Sequence, residues 1–369
     1  MRCNVKKWKA AAYRAALGLI PCRKQAYACT GSVPEKLPAV LHHQHAVGAA
    51  AALFDRGGMT GLCVYGEAVP GELVTADTVF RTASISKHIT AMAAWRLHEA
   101  GDIDLDADAD AFLPCSLRHP AAPDTPITLR RLLSHTAGIH DGSAYAAACG
   151  TNAPLHQVMQ GDVHTAAFGP FEYSNFGAGI AACALEGMLG QSFERILQQT
   201  LFAPLGVRAS FYPQNAAGPL ANAYRVLPPQ KAPALDARAR ASRPLPPEGP
   251  DPERHYLLSQ GNLYISAPEL AKLGQELTHE RYAPMRRALA PFGARDPRLE
   301  MGLGTFIVRG ITPQMLYGHQ GLAYGAMHGL FYDPATGRGF ALLTSGASEA
   351  REWVLSDLNI AVIRQVFHG

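Results

Sequence analysis

Ser84-Ile85-Ser86-Lys87 is the one SxxK in the chain, and it opens a stretch of helical periodicity. Three residues along a helix is about one turn, so the Lys87 ammonium can reach the Ser84 hydroxyl. A serine hydroxyl is a poor nucleophile until a neighbouring base takes its proton, and a lysine can serve when desolvation and nearby cations depress its pKa. A helix N-terminus also aims backbone N–H groups at a developing oxyanion. Tyr173-Ser174-Asn175 is the one YxN among thirteen tyrosines. A phenol held near deprotonation by a cation can accept the serine proton and relay it to a leaving group, while the Asn175 amide can bond both a substrate carbonyl and Lys87. The third pattern is His319-Gln320-Gly321, at the end of a predicted strand. There a basic side chain would polarise the substrate, and a glycine would let the backbone close on a ligand. The other HxG triplet, His140-Asp141-Gly142, precedes Tyr173 and reads as a loop. Taken singly, each pattern has a plain structural explanation: a chance tetrapeptide, a tyrosine packed at a helix start, a satisfied core histidine.

In the order SxxK, YxN, HxG, the sequence resembles the β-lactamase-related serine hydrolases, which include class C β-lactamases, DD-peptidases, D-aminopeptidases and certain esterases. The flanks are similar too: Thr78-Val79-Phe80-Arg81-Thr82-Ala83 before the nucleophile, residues 127–138 with Ser134-His135-Thr136-Ala137-Gly138, and Gly261-Asn262-Leu263-Tyr264-Ile265-Ser266-Ala267-Pro268. The similarity runs over roughly residues 35–368. It implies an α+β fold, with a β-lactamase/transpeptidase-like antiparallel sheet flanked by helices and a mostly helical subdomain. It also implies Ser84 as acylated nucleophile, Lys87 and Tyr173 as the proton-handling pair, Asn175 as a contact to substrate and Lys87, and His319 as the polar partner of Tyr173. The oxyanion would sit on the backbone N–H groups of Ser84 and Leu322, with Gln320 and Gly321 beside the substrate. Whether Lys87 or Tyr173 is the acylation base stays open.

The expected substrate is a small ester, amide or peptide, with neither cofactor nor metal. Class C β-lactamases usually carry KTG at the third motif and some DD-peptidases HTG, so Gln320 removes a threonine hydroxyl, and apolar Leu322 follows it. That weakens the grip on a penicillin or D-Ala carboxylate, which Arg309 could restore. The departure favours an esterase, a D-amino-acid peptidase or a DD-carboxypeptidase-like activity over a true class C-type β-lactamase. A non-catalytic scaffold of the same fold is the rival class.

The elements that must position these residues follow from turns and periodicity. Ala49–Phe54 and Gly61–Tyr65 flank Asp55-Arg56-Gly57-Gly58 as a predicted hairpin, and Ser84–Ala100 is a predicted helix stopped by Gly101. Residues 127–210 read as mainly helical, and 227–252 as a proline-rich surface loop. Short strands are predicted at Thr305–Arg309, Met315–His319, Met327–Tyr332 and Gly339–Thr344, then a helix over Glu349–Phe367. This organisation suggests one α+β unit, which the family resemblance implies is a serine hydrolase domain over 31–369. An α/β subdomain would combine about 35–83 with 255–369, and a helical subdomain would span about 84–215.

Residues 1–24 hold seven Lys/Arg and no acid, so the other 345 residues carry 26 bases against 30 acids. A body of that sign, without basic runs, argues against nucleic acid as the partner. No window approaches the length of apolar sequence needed to span a bilayer. The first 30 residues support two readings. Their basic start, apolar Ala10–Cys22 and Ala26-Tyr27-Ala28 resemble an export signal, whereas Val5, Trp8, Ala12, Ala15 and Leu19 at helical spacing describe a basic amphipathic surface helix. Location and oligomeric state stay open. Seven cysteines without regular spacing read mostly as small buried apolar residues. The alternating Asp102 to Asp110 lack the glycine of a calcium loop.

Overall fold

The structure, a computed structural model, describes residues 2–227, 233–235 and 249–368, so most of the proline-rich 227–252 segment lies outside the described residues. Its main sheet is antiparallel throughout. From one edge it runs Tyr27–Gly31, Gly58–Val69, Gly48–Asp55, Gly339–Gly346, Ala326–Tyr332, Leu316–Ala323, Phe306–Val308, Leu299–Met301 and Ala290–Pro291, with Glu72–Leu73 pairing onto Gly58–Val69. The early hairpin thus lies against strands from the far end of the chain, through Gly48–Asp55 on Gly339–Gly346. Side chains on the central strands alternate between two cores, as the period of two demands. Leu330 and Tyr332 join Phe54, Phe80, Ile89 and Leu270 on one face. Phe331 joins Leu37, Leu358 and Val362 on the other.

The middle region carries helices Leu129–Leu133, Ser143–Thr151, Asn175–Leu189 and Phe193–Leu197 joined by long turns and loops, so it is less helical than its Ala-rich composition predicts. The helix that begins at the SxxK motif is Ile85–Ala100, and Gly101 ends it in the left-handed conformation at φ 83° that glycine adopts without a Cβ clash. Gly179 serves packing: a Cβ there would lie 2.1 Å from the Tyr256 carbonyl oxygen, so helix Asn175–Leu189 can be crossed by the 255–257 backbone.

Two further expectations need correction. The last helix begins at Asp357, not Glu349, and residues 347–356 form a loop. Ser356 caps that helix by accepting from the Asn359 N–H, and the chain before it is held by side chains far away in sequence, which periodicity does not register. Cys29 on the edge strand Tyr27–Gly31 and Cys63, directly opposite on its neighbour Gly58–Val69, form a disulfide, so neither is a free apolar residue. Of the free cysteines Cys183 is buried and Cys149 exposed. The first residues form a helix, Arg2–Gly18, and among the described residues no helix is long and apolar enough to cross a membrane.

Candidate active site

The nucleophile motif sits where strand Val79–Arg81 turns into its helix. The strand pairs with Tyr264–Ser266, and the turn is laced by Thr82 N–H to Leu263 O at 2.8 Å and Ser86 Oγ to Ala83 O at 2.7 Å. Ala83 occupies φ 50°, a conformation that costs a residue with a Cβ roughly 1 kcal/mol, held by this lacing. Ser84, next in line, keeps its side chain partly accessible at the helix N-terminus.

Lys87 is buried, 2% exposed, one turn along. Its Nζ lies 3.0 Å from Ser84 Oγ, 2.7 Å from Asn175 Oδ1 and 2.5 Å from the Gln260 carbonyl oxygen. An ammonium donates to all three, whereas a neutral amine donates to Asn175 and Gln260 and turns its lone pair to the Ser84 proton. Loss of water lowers the Lys87 pKa from 10.5 to about 7; the Asp141 carboxylate opposes that shift and Arg81 adds to it.

Tyr173 and Asn175 are set by a helix cap. Ser174 caps Asn175–Leu189 by accepting from the Gly177 N–H at 2.9 Å, and its own N–H donates to His135 Nδ1 at 3.1 Å. The Tyr173 ring lies 4.3 Å from that of His135, with Lys87 Nζ 5.3 Å from its centroid. Desolvation raises the Tyr173 phenol above its ordinary value, and its hydrogen bond with Ser84 opposes the rise. Tyr173 is thus a protonated phenol at neutral pH.

Asp141, set aside in the sequence as the loop HxG, ties this motif together. It accepts from Asn175 Nδ2 at 2.7 Å, the Phe176 N–H at 2.9 Å and Ser174 Oγ at 3.1 Å. Nothing in its spacing to Tyr173 advertised the contact, which exists because the 138–142 loop folds back under the helix.

His319 is fully buried on strand Leu316–Ala323. Its Nδ1 lies 2.6 Å from the Gln320 carbonyl oxygen; a carbonyl only accepts, so Nδ1 carries the proton. Burial above all, with His88 nearby, pushes the imidazole well below its ordinary pKa, and its Nε2 is a lone pair without a hydrogen-bond partner. The Tyr173 and His319 rings are neighbours at 6.3 Å, in ring contact only. Gly321 is needed against the protein, not only against a ligand: a Cβ would meet the Thr82 carbonyl oxygen at 2.1 Å, so glycine brings this strand onto the turn that delivers Ser84. The Gln320 side chain faces the loop, with Nε2 donating to Val354 O at 2.6 Å and Oε1 accepting from Ser356 N–H at 3.1 Å and Asn359 Nδ2 at 3.3 Å. Leu322 borders the cleft.

Ser84, Tyr173, Asn175 and His319 open onto a cleft of about 770 Å³, with Phe292, Phe306, Arg295 and the 349–354 loop around it. Lys9, Ala10 and Tyr13 of the N-terminal helix also face it, contacts that the sequence left unconnected to the motifs. Arg309 is not among the lining residues; it pairs with Glu300 at 2.7 Å on the adjacent strand. Among the described residues no group of three or more His, Cys, Asp or Glu could hold a metal. Of the alternating aspartates, Asp106 binds Arg130 and Asp108 binds Arg118.

The family described as Beta-lactamase matches residues 33–365, most of the sequence. The chain belongs to the beta-lactamase family. Its relatives in that family include "Penicillin-binding protein 4" of Amycolatopsis lactamdurans, 29% identical over 48% of this chain and 47% of the relative. "Esterase EstB" of Burkholderia gladioli is 39% identical over 70 residues, 19% of this chain and 18% of the relative. The chain spans less than half the length of the first curated relatives it matches. Solved structures share the fold: "EstCE1, a hydrolase with promiscuous acyltransferase activity" has a TM-score of 0.71 at 23% identity, over 90% of this chain and 98% of that one. D-amino acid amidase from Ochrobactrum anthropi SV3 has a TM-score of 0.67 at 22% identity, over 90% and 97%. Among the relatives are proteins named as an esterase and as a D-alanyl-D-alanine-carboxypeptidase/endopeptidase.

Proposed function

We propose that this beta-lactamase-family protein is a serine hydrolase that cleaves a small ester or amide through an acyl-Ser84 intermediate. The observation that carries the reading is the buried Lys87 amine, 3.0 Å from Ser84 Oγ and tied to Asn175 and Gln260, with a pKa brought down to about 7. A lysine so placed holds its lone pair near neutral pH, while the desolvated Tyr173 keeps its proton. That contrast favours Lys87 as acylation base and Tyr173 as donor to the leaving group.

In this scheme Lys87 Nζ takes the Ser84 proton as Oγ attacks the carbonyl, and the oxyanion is met by the backbone N–H groups of Ser84 and Leu322. The bond to the leaving group breaks as Tyr173 gives it a proton, and Tyr173 recovers one from Lys87. Water then attacks the acyl-serine with the same pair acting in reverse. Asn175 positions the substrate carbonyl and Lys87, and Asp141 holds Asn175.

A neutral His319 at the third motif, its Nε2 buried and without a hydrogen-bond partner, offers no charge to a carboxylate. This supports neutral esters or D-aminoacyl amides over penicillins. A fluorophosphonate probe followed by peptide mass analysis tests the reading. An adduct on the Ser84 peptide, lost in Ser84→Ala, is expected. Absence of an adduct from both a fluorophosphonate and a fluorescent penicillin would return the protein to the scaffold class, and fast cephalosporin turnover would refute the substrate preference.

A further inference from the structure

We propose that the N-terminal helix Arg2–Gly18 forms the far wall of a substrate subsite, with Tyr13 as its specificity-determining residue. The subsite would take an ester or amide whose acyl group is bulky and apolar. The inference rests on the serine hydrolase reading above and adds the part of the substrate that reading leaves open.

The helix turns one face to the body. Ala10, Tyr13, Arg14 and Leu17 follow the i, i+3, i+4, i+7 spacing of a single stripe, and Ala10 and Leu17 are buried, whereas Trp8 and Leu19 point to water at 78% and 86% exposure. Arg14 fixes the stripe by a bidentate pair to Asp357, at 2.6 Å and 2.8 Å, in the first turn of the last helix. The Glu349 N–H donates to Tyr13 Oη at 3.1 Å. The phenol head is therefore used on the 347–356 loop, and the ring is left to face the cleft.

The cleft wall this creates carries apolar groups, Ala10 and Tyr13 on the helix, Trp353 and Val354 on the loop, Phe292 and Leu322 on the sheet side, alongside the charged Lys9, Glu349, Arg351 and Glu352 of the same helix and loop. Its volume of about 770 Å³ falls within the roughly 300–1,000 Å³ that encloses drug-sized ligands. An acetyl group would leave most of that space to water. A large apolar acyl group would displace it, with Tyr13 supplying an aromatic face already fixed at its hydroxyl.

The test uses the full chain and compares kcat/KM for p-nitrophenyl acetate with that for p-nitrophenyl phenylbutyrate, alongside fluorophosphonate labelling of Ser84. Arg14 lies outside the cleft, so Arg14→Asp is expected to release the helix, leave acetate turnover within about twofold and lower the phenylbutyrate-to-acetate ratio about tenfold. Tyr13→Ala is expected to lower the ratio similarly. Asp357→Arg should reproduce the loss, and the double variant Arg14→Asp/Asp357→Arg should recover most of it, which a folding defect would not do. An unchanged ratio in both Arg14→Asp and Tyr13→Ala, or an equal loss on both esters, overturns the subsite while leaving the hydrolase reading intact. A wild-type chain that neither labels at Ser84 nor hydrolyses either ester overturns that reading and the subsite with it.

Discussion

The floor and the rim of the cleft are built on different physics. On the floor, Ser84, Lys87, Tyr173 and Asn175 are joined by short hydrogen bonds around a lysine that is 2% exposed, and Asp141 locks the second motif from beneath. At the rim, the N-terminal helix is held by the pair of Arg14 with Asp357, whose side chains are 44% and 21% exposed, and Arg295 of the cleft lining pairs with Glu172. Desolvation sets proton affinities on the floor, where a lost partner leaves a buried polar group stranded. Water screens the rim, where single ion pairs contribute at most about 1 kcal/mol and geometry can change cheaply. On the proposed function, reactivity would sit in the part of the cleft that tolerates least and selectivity in the part that tolerates most.

The sharpest break of this comparison is at the nucleophile. Ser84→Ala should lower turnover by at least about 10³-fold with thermal unfolding nearly unchanged, because Lys87 keeps its bonds to Asn175 and Gln260. Wild-type turnover in that variant would remove the floor from the chemistry.

Lys87→Met should abolish activity to a similar degree, yet its effect on stability should depend on pH. Folding lowers the Lys87 pKa from 10.5 to about 7, so between those values the unfolded chain binds more protons than the native one. This group therefore makes the native state gain stability as pH rises through that window and lose it as pH falls. The variant should flatten that dependence in thermal melts taken from pH 6 to 9. Unaltered pH dependence would mean that Lys87 is not desolvated.

For the wild type, kcat/KM should fall below about pH 7, as Lys87 gains a proton and loses the lone pair turned to Ser84. Asp141→Asn removes a negative charge that favours the ammonium, so the acid limb should move to lower pH, with kcat/KM reduced about tenfold through the loosened Asn175. A pH–rate profile separates this from a general loss of packing, which would lower the plateau and leave the limb in place.

Between floor and rim, Gln320→Leu should destabilise by about 1–3 kcal/mol by stripping the loop of partners for Val354 O and Ser356 N–H. Substrate KM should change more than kcat. At the rim itself, Glu172→Gln should shift stability by less than about 1 kcal/mol, readable as a small change in the urea midpoint. A rim variant as damaging as Lys87→Met would erase the distinction.

Much of this was legible in the sequence. The SxxK tetrad opens a helix because Ile85, Ile89 and Met92 recur at its period and Gly101 stops it. The late strands read clearly because Ala326–Tyr332 and Gly339–Gly346 are dense in apolar and aromatic residues between turns. Residues 349–356 misread as helix because their apolar Val354 and Leu355 continue the phase of the true helix, while what straightens them is a glutamine and an aspartate distant in sequence. The bonds from the Gln320 side chain to that loop were equally illegible, because alternation names a face of a strand, not what covers it. The Cys29–Cys63 bond escaped because 34 residues of separation say nothing until a hairpin register sets the two opposite.

By itself the sequence determined which groups can react, the order in which they occur and the local elements that carry them, since those depend on residue type and on periods of two and three to four. Only the tertiary structure decided that a lysine would be dry enough to act as a base, that Asp141 would steady Asn175, and that the first helix would border the cleft. Those outcomes depend on burial and on contact between residues from 34 to 343 positions apart, quantities that are sums over the whole fold and are written in no local stretch of it.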